Sequence, residues 1–244
     1  MHPRIFSDAP LAPDSNVVLT GTGAAHISKV LRLRQGDAIT IFDGSGMEYA
    51  GQIDAITRHD VSVAIGAGCS PQTESPLGVR LLQGICRGQR MDLLIQKSTE
   101  LGIRSIYPVA CERSVVRLDS ARAQKKVDHW RQVAVSACEQ SGRVQVPDIG
   151  TPAKFDPAIA ALGGASGSRL LLDPTAEHGI DATMDREAGV TLLIGPEGGL
   201  TPGERELAHA AGFQSVRLGP RILRTETAPL AALSILQYLH GDLG

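Results

Sequence analysis

Aromatic side chains are scarce in this chain, at 3% of 244 residues with a single tryptophan. So few rings cannot form the broad stacking platform that reads a single strand base by base. No apolar run reaches the roughly 18 to 20 residues that span a bilayer, and the opening MHPRIFSDAP lacks a charged-then-apolar signal. A cytoplasmic protein without a membrane partner is expected. The four cysteines, Cys69, Cys86, Cys111 and Cys138, form no CxxC pair, and no histidine stands at zinc-ligand spacing. They read as reduced core thiols, with no metal. Neither GxGxxG nor GxxxxGK[ST] occurs, which removes the usual support for dinucleotide or nucleoside-triphosphate binding.

Net charge is also small, at −2, but its distribution is uneven. Residues 1–79 carry 5 basic against 8 acidic side chains, residues 80–144 carry 12 against 6, and residues 145–244 carry 7 against 12. A basic stretch of +6 between two acidic ones suits a localised phosphate-binding surface or a solvated helix face.

From Asn16 to Gly66, short apolar runs alternate with turn residues: VVLTG, AITIFDG, MEYAGQIDAI and VSVAIG. These predict strands of a small barrel, with a short helix over HISKVLRL. CSPQTESP, residues 69–76, has no periodicity and two prolines, and marks a domain boundary. Beyond it strands alternate with helices, including a long helix from about Ser120 to Ser141, as in a mostly parallel sheet covered on both faces. Thr201, Pro202 and Glu204 supply the start signals of a helix that Gly212 stops. PEGG therefore falls between a strand's carboxyl end and a helix's amino end, where open α/β sheets bind ligands.

Two clusters carry the chemistry. GPEGGLTPGE places four glycines within nine residues around Glu197, which lets a ligand approach backbone closely. LGPRILRTETA, residues 218–228, gathers Arg221, Arg224 and Glu226. Its alternative reading is a salt-bridged turn capping the last helix. Together with RIF, HISKVLRLRQGD, QKSTELGI and ACEQSGR, these segments resemble the SPOUT superfamily of RNA methyltransferases, and within it the RsmE family.

The resemblance implies an α/β fold in two parts. Residues 1–70 would form a PUA-like RNA-binding β-barrel, and residues 77–244 a SPOUT methyltransferase domain with a C-terminal trefoil knot. It implies S-adenosylmethionine as cofactor, held by Leu172, Gly195, Gly199, Leu218, Gly219 and Leu223. The reaction implied is methylation of N3 of a uridine in 16S ribosomal RNA, within the assembled small subunit, by a homodimer for which LAALSILQYL is a candidate interface. N3 must lose a proton before it can attack, so a base or an anion stabiliser is needed. The candidates in order are Arg224, Glu197 and Glu226. RNA contacts fall to Arg4, His26 and Arg32 in the small domain, and to Arg87, Arg90, Lys97, Arg113 and Arg221 beyond it. Two rival readings remain: a non-catalytic RNA-binding ribosome-assembly factor, resting on barrel and basic stretch, and a nucleotide-dependent oxidoreductase, resting on fold analogy alone.

Overall fold

The structure, a computed structural model, describes residues 2–114, 120–163, 166–180 and 189–244. The chain packs into two units, one of residues 1–74 with 138–146, the other of residues 75–137 with 147–244. The break at Glu74 lies inside CSPQTESP. Residues 138–146 depart from the unbroken second domain drawn from the sequence: they pack with the first unit.

The first unit is a five-stranded sheet in the order β1-β3-β4-β5-β2. Its strands are β1 (Arg4–Phe6), β2 (Asn16–Leu19), β3 (Ala38–Phe42), β4 (Glu48–Ile56) and β5 (Val61–Cys69). All neighbours are antiparallel except β1 and β3. Alternation along the strands turns Ile39, Ile41, Ile53, Val61, Val63 and Ile65 inward with Ile5 and Ile27. Gly51 sits beneath this layer, where a Cβ would lie 3.0 Å from both Ile39 and Val63. The short helix begins earlier than HISKVLRL: α1 covers Gly21–Ala25, and His26–Val30 continues it as a π-helical turn. Arg32 then reverses the chain at φ 54°.

Arg4, expected to contact RNA, is held within the first unit. Its guanidinium pairs with Glu48, lies 5.1 Å from the Phe42 ring centre, and donates to the carbonyls of Gly142 and Arg143 at 3.2 Å each. Only 11% of its side chain is exposed. Glu74 completes the attachment of residues 138–146. One oxygen accepts Nε and a terminal nitrogen of Arg143 at 2.9 and 2.7 Å, and the other accepts the N–H groups of Val144 and Gln145 at 3.0 Å. Arg143 is buried, and such a charge is tolerable only with its counter-ion in place.

The second unit is a parallel sheet in the order β12-β10-β11-β6-β7-β8, with β9 also on β7. Its strands are β6 (Val79–Gly84), β7 (Ser105–Ala110), β8 (Asp148–Ile149), β9 (Ala153–Lys154), β10 (Ser168–Leu172), β11 (Val190–Ile194) and β12 (Gln214–Val216). Helices α2 (Arg90–Glu100), α3 (Ser120–Ser141), α4 (Phe155–Ala160), α5 (Pro202–Ala210) and α6 (Thr227–His240) complete the chain. The central strands are apolar on both faces, as a covered parallel sheet requires. Pro108, which has no N–H to donate, falls where the outer partner of β7 changes from β8 to β9. The expected start of α5 is present: the Thr201 hydroxyl accepts the Glu204 N–H, and the Glu204 carboxylate accepts the Thr201 N–H at 2.8 Å.

Three of the four cysteines are core thiols as expected, but Cys69 is exposed at the end of β5. Burial pushes the Cys86 thiol up to about 11, and those of Cys111 and Cys138 up to about 12. Since the thiolate is the reactive form, iodoacetamide at about pH 8 is expected to alkylate the native protein at Cys69 alone. Peptide mapping that finds Cys86, Cys111 or Cys138 modified at a comparable rate would contradict this burial.

Candidate active site

The carboxyl ends of β10, β11 and β12 open on one cavity of about 650 Å³. Leu171, Leu172, Ile194, Leu218 and Leu223 give it apolar walls, and residues 195–200 and 216–226 form its rim. This is the concavity expected beyond the strands of an open α/β sheet.

The loops fold this way for separable reasons. Gly195 turns so closely on its own loop that a Cβ would lie 3.2 Å from Gly199 carbonyl carbon and Leu200 nitrogen. Gly199 and Gly219 adopt φ values of 68° and 72°, and neither has an atom within 4 Å of where a Cβ would be. Both turns therefore present bare backbone. Gly84 ends β6 against the same loop, where a Cβ would meet the Pro196 nitrogen at 2.4 Å. Any side chain here would push β6 and the 195–199 loop apart.

One hydroxyl fastens the second cluster to this frame. Thr225 Oγ1 donates to the Gly195 carbonyl at 2.8 Å and accepts from Gln83 Nε2 at 3.2 Å. Gln83 is fully buried at the end of β6 and also donates to the Gly84 carbonyl at 3.0 Å. The 218–228 segment is thus anchored to β6 and β11 together.

The charges around the mouth are mostly paired. Arg90 donates to Glu197 at 2.7 Å and stands 3.7 Å from Glu226. Glu197 also accepts the Arg87 N–H at 3.1 Å. Burial by itself would raise the Glu197 carboxyl, but the N–H groups of Arg87 and of Glu197 itself, with the Arg90 guanidinium, outweigh burial and hold it below the ordinary carboxylate range. In Glu226, 13% of the side chain is exposed, and Oε2 is buried without a hydrogen-bond partner among the described residues. Asp173 takes Arg205 at 3.4 Å. Arg113 lies over the glycine loop and donates to the Gly198 carbonyl at 3.2 Å. Its own loop is held by Glu204, which accepts the Glu112 N–H at 2.8 Å. Arg221 and Arg224 are exposed on the rim and form no ion pair among the described residues.

All six residues expected to hold a cofactor line this one cavity: Leu172, Gly195, Gly199, Leu218, Gly219 and Leu223. Arg224, Glu197 and Glu226 line it too, with Arg90, Arg113 and Arg221. Arg87 lies in an adjoining groove. Lys97, in the last turn of α2, pairs with Glu100 at 2.7 Å and lines neither concavity. His26 and Arg32 belong to the first unit. Sequence reasoning missed Gln83, Thr225, Asp173 and Arg205. The available signal for Gln83 was an amide following the apolar pair Leu81-Leu82 in a strand expected to be covered on both faces.

Replacing Thr225 by valine keeps its shape but removes the partner of the Gly195 carbonyl and of one N–H of the Gln83 amide. The expected loss is about 1–3 kcal/mol of stability, read as a lower urea midpoint with unchanged slope. A variant as stable as the wild type would mean that the hydroxyl does not anchor the segment.

Comparison with known proteins agrees with this architecture. Residues 73–237 match the family model described as RNA methyltransferase domain, and residues 19–66 match RNA methyltransferase PUA domain. The chain is 34% identical over 241 residues to ribosomal RNA small subunit methyltransferase E of Buchnera aphidicola subsp. Schizaphis graminum, covering 99% of this chain and 98% of that protein. It is 32% identical to the Bacillus subtilis protein of the same name, covering 92% of each. Two solved structures superpose over the full length of both chains with TM-scores of 0.92. One is a putative methyltransferase from Legionella pneumophila with bound SAM, 35% identical. The other is ribosomal RNA small subunit methyltransferase E from Neisseria gonorrhoeae bound to S-adenosyl methionine, 36% identical. The two-unit fold, the glycine-lined cavity and these likenesses agree on one assignment, and the chain belongs to the RNA methyltransferase family of the ribosomal RNA small subunit methyltransferase E proteins.

Proposed function

We propose that this protein transfers the methyl group of S-adenosylmethionine to N3 of a uridine in 16S ribosomal RNA, acting on the assembled small subunit. The observation that carries this reading is the single cavity lined by both glycine-rich and arginine-rich clusters, in a chain whose full-length structural relatives hold that cofactor.

The residues fit such a ligand. Bare backbone at Gly199 and Gly219 can meet the polar edge of an adenine, while Leu172, Leu218 and Leu223 offer its faces an apolar slot. Two arginines at the wall, Arg90 and Arg205, are paired with carboxylates, which limits their repulsion of a sulfonium cation. When bound, that cation supplies an electrophilic methyl carbon. The protein must then place N3 in line with it and accommodate the proton that N3 loses.

Arg224 is suited to stabilising the negative charge that spreads to the uridine oxygens, since no carboxylate claims it among the described residues. The two glutamates differ. Glu197 already accepts from Arg87 and Arg90 and has a lowered pKa, which makes it a poor base. Glu226 has an unclaimed oxygen, so it ranks above Glu197 as the group that takes the N3 proton and leaves the nitrogen lone pair free to form the new bond.

For RNA, the reading assigns phosphate and sugar contacts to Arg87, Arg90, Lys97, Arg113 and Arg221, and to His26 and Arg32 in a PUA-like RNA-binding unit. Arg4 of that unit ranks below these, since its guanidinium already pairs with Glu48 and with the carbonyls of Gly142 and Arg143. A homodimer working in the cytoplasm completes the proposal. Among the described residues, no helix is long and apolar enough to cross a membrane.

The test is transfer of labelled methyl from S-adenosylmethionine to unmodified small subunits, followed by mass spectrometry of the RNA. A 3-methyluridine is expected. Absence of both cofactor binding and label transfer would refute the proposal, and normal RNA binding after alteration of both clusters would favour a non-catalytic factor. Arg224→Ala is expected to lower kcat on the order of 10²- to 10³-fold with cofactor affinity little changed. Glu226→Gln should lower kcat on the order of 10²-fold, and more than Glu197→Gln does. The reverse order of the two glutamine variants would return the proton to Glu197.

A further inference from the structure

Next to the cavity lies a second concavity of about 1000 Å³ between the start of α2 and α3, and the two share Arg90 and Glu197 as a common wall. No step of methyl transfer uses it. We infer that this groove holds the nucleotide adjoining the target uridine in the RNA chain, with its base against Leu93 and Val133.

The inference rests on the reading of the cavity as the methyl-transfer site. RNA is a polymer, so a uridine bound in the cavity brings its neighbours to within one sugar–phosphate unit of the wall. Arg87 and Arg90 stand at the shared end of the groove, where the intervening phosphate would pass. Further along, Gln89, which caps the start of α2, and Leu93 and Gln96 within it recur at offsets of four and seven and so share one face. Leu93 is 45% exposed. It faces a groove that Val133 of α3 also lines. The amides of Gln89 and Gln96 make no hydrogen bond among the described residues, and each offers both a donor and an acceptor to a base edge.

The groove is built rather than incidental. Asp92 and His129 join at 2.9 Å, which holds α2 and α3 together beside it. Gly88, at φ 61° with no atom within 4 Å of a Cβ position, leaves bare backbone at the shared end of the groove. An apolar plate flanked by amides, with cations at one end, matches a nucleobase and its phosphate. It matches a purely anionic ligand less well, because Asp92 and Glu197 offset Arg87 and Arg90.

The test uses the full-length protein with Leu93→Ala and Gln96→Ala combined, both at exposed positions outside the catalytic set. Loss of one base contact should raise KM for small subunits on the order of tenfold, with kcat and S-adenosylmethionine affinity unchanged. Small subunits carrying 4-thiouridine beside the target should photo-crosslink to the peptide spanning residues 89–96 in the wild type. An unchanged KM and no crosslink would overturn the proposal. So would a rise in KM accompanied by dissociation in light scattering, which would make the face an interface between copies. If the wild type transferred no methyl group, the cavity reading would fail on its own. The groove would then be judged by direct RNA affinity of the double variant, where a value equal to the wild type's rejects it.

Discussion

The active region depends on one buried hydroxyl that joins three parts of the chain. Thr225 bonds to Gln83 at the end of β6 and to Gly195 at the end of β11, and so ties the arginine-rich segment to the sheet. In the low-polarity interior these groups have no water to fall back on, so the geometry is favoured over any alternative that leaves them unpaired. Gly84 allows it by letting β6 approach Pro196 closer than any side chain would permit. The cavity is what remains open on the other side of this junction.

The helix starts extend the same rigidity outward. Glu204 closes the cap of α5 with one oxygen and accepts the Glu112 N–H with the other. Formation of α5 therefore positions Arg113 over Gly198, and the glycine loop is fixed from both sides. Charge follows a comparable division. Arg90 and Arg205 are held by carboxylates, whereas Arg221 and Arg224 extend from the rim uncommitted among the described residues. Cations without partners are available to an incoming anion without first breaking a bond.

Much of this was legible in the sequence, for identifiable reasons. The strands of the parallel sheet were apparent because their apolar runs are bounded by turn residues, and α5 because its cap obeys a local rule spanning four residues. The glycine and arginine clusters were visible as dense exceptions to ordinary composition. What escaped depends on distant partners. Nothing near RIF indicates that Arg4 will meet Glu48 and the carbonyls of residues 142 and 143. Short elements such as β8, β9 and α4 also escaped, since two to six residues carry too little periodicity to register. The same limit hid the return of residues 138–146 to the first unit, which rests on the carboxylate of Glu74.

The two motifs are long and specific because their positions answer to different physical demands. Gly199 and Gly219 are required by positive φ, and Gly195 and Gly84 by crowding. Thr225 is required by two hydrogen bonds at once, so serine could serve chemically but would leave its methyl volume empty. Leucines at 172, 218 and 223 need only be apolar and of fitting size, whereas Arg90, Glu197 and Glu226 are placed by charge pairing and Arg224 extends from the rim. A loop serving folding alone would satisfy one or two of these demands. Their coincidence around a single cavity is what separates a catalytic pocket from a well-made turn.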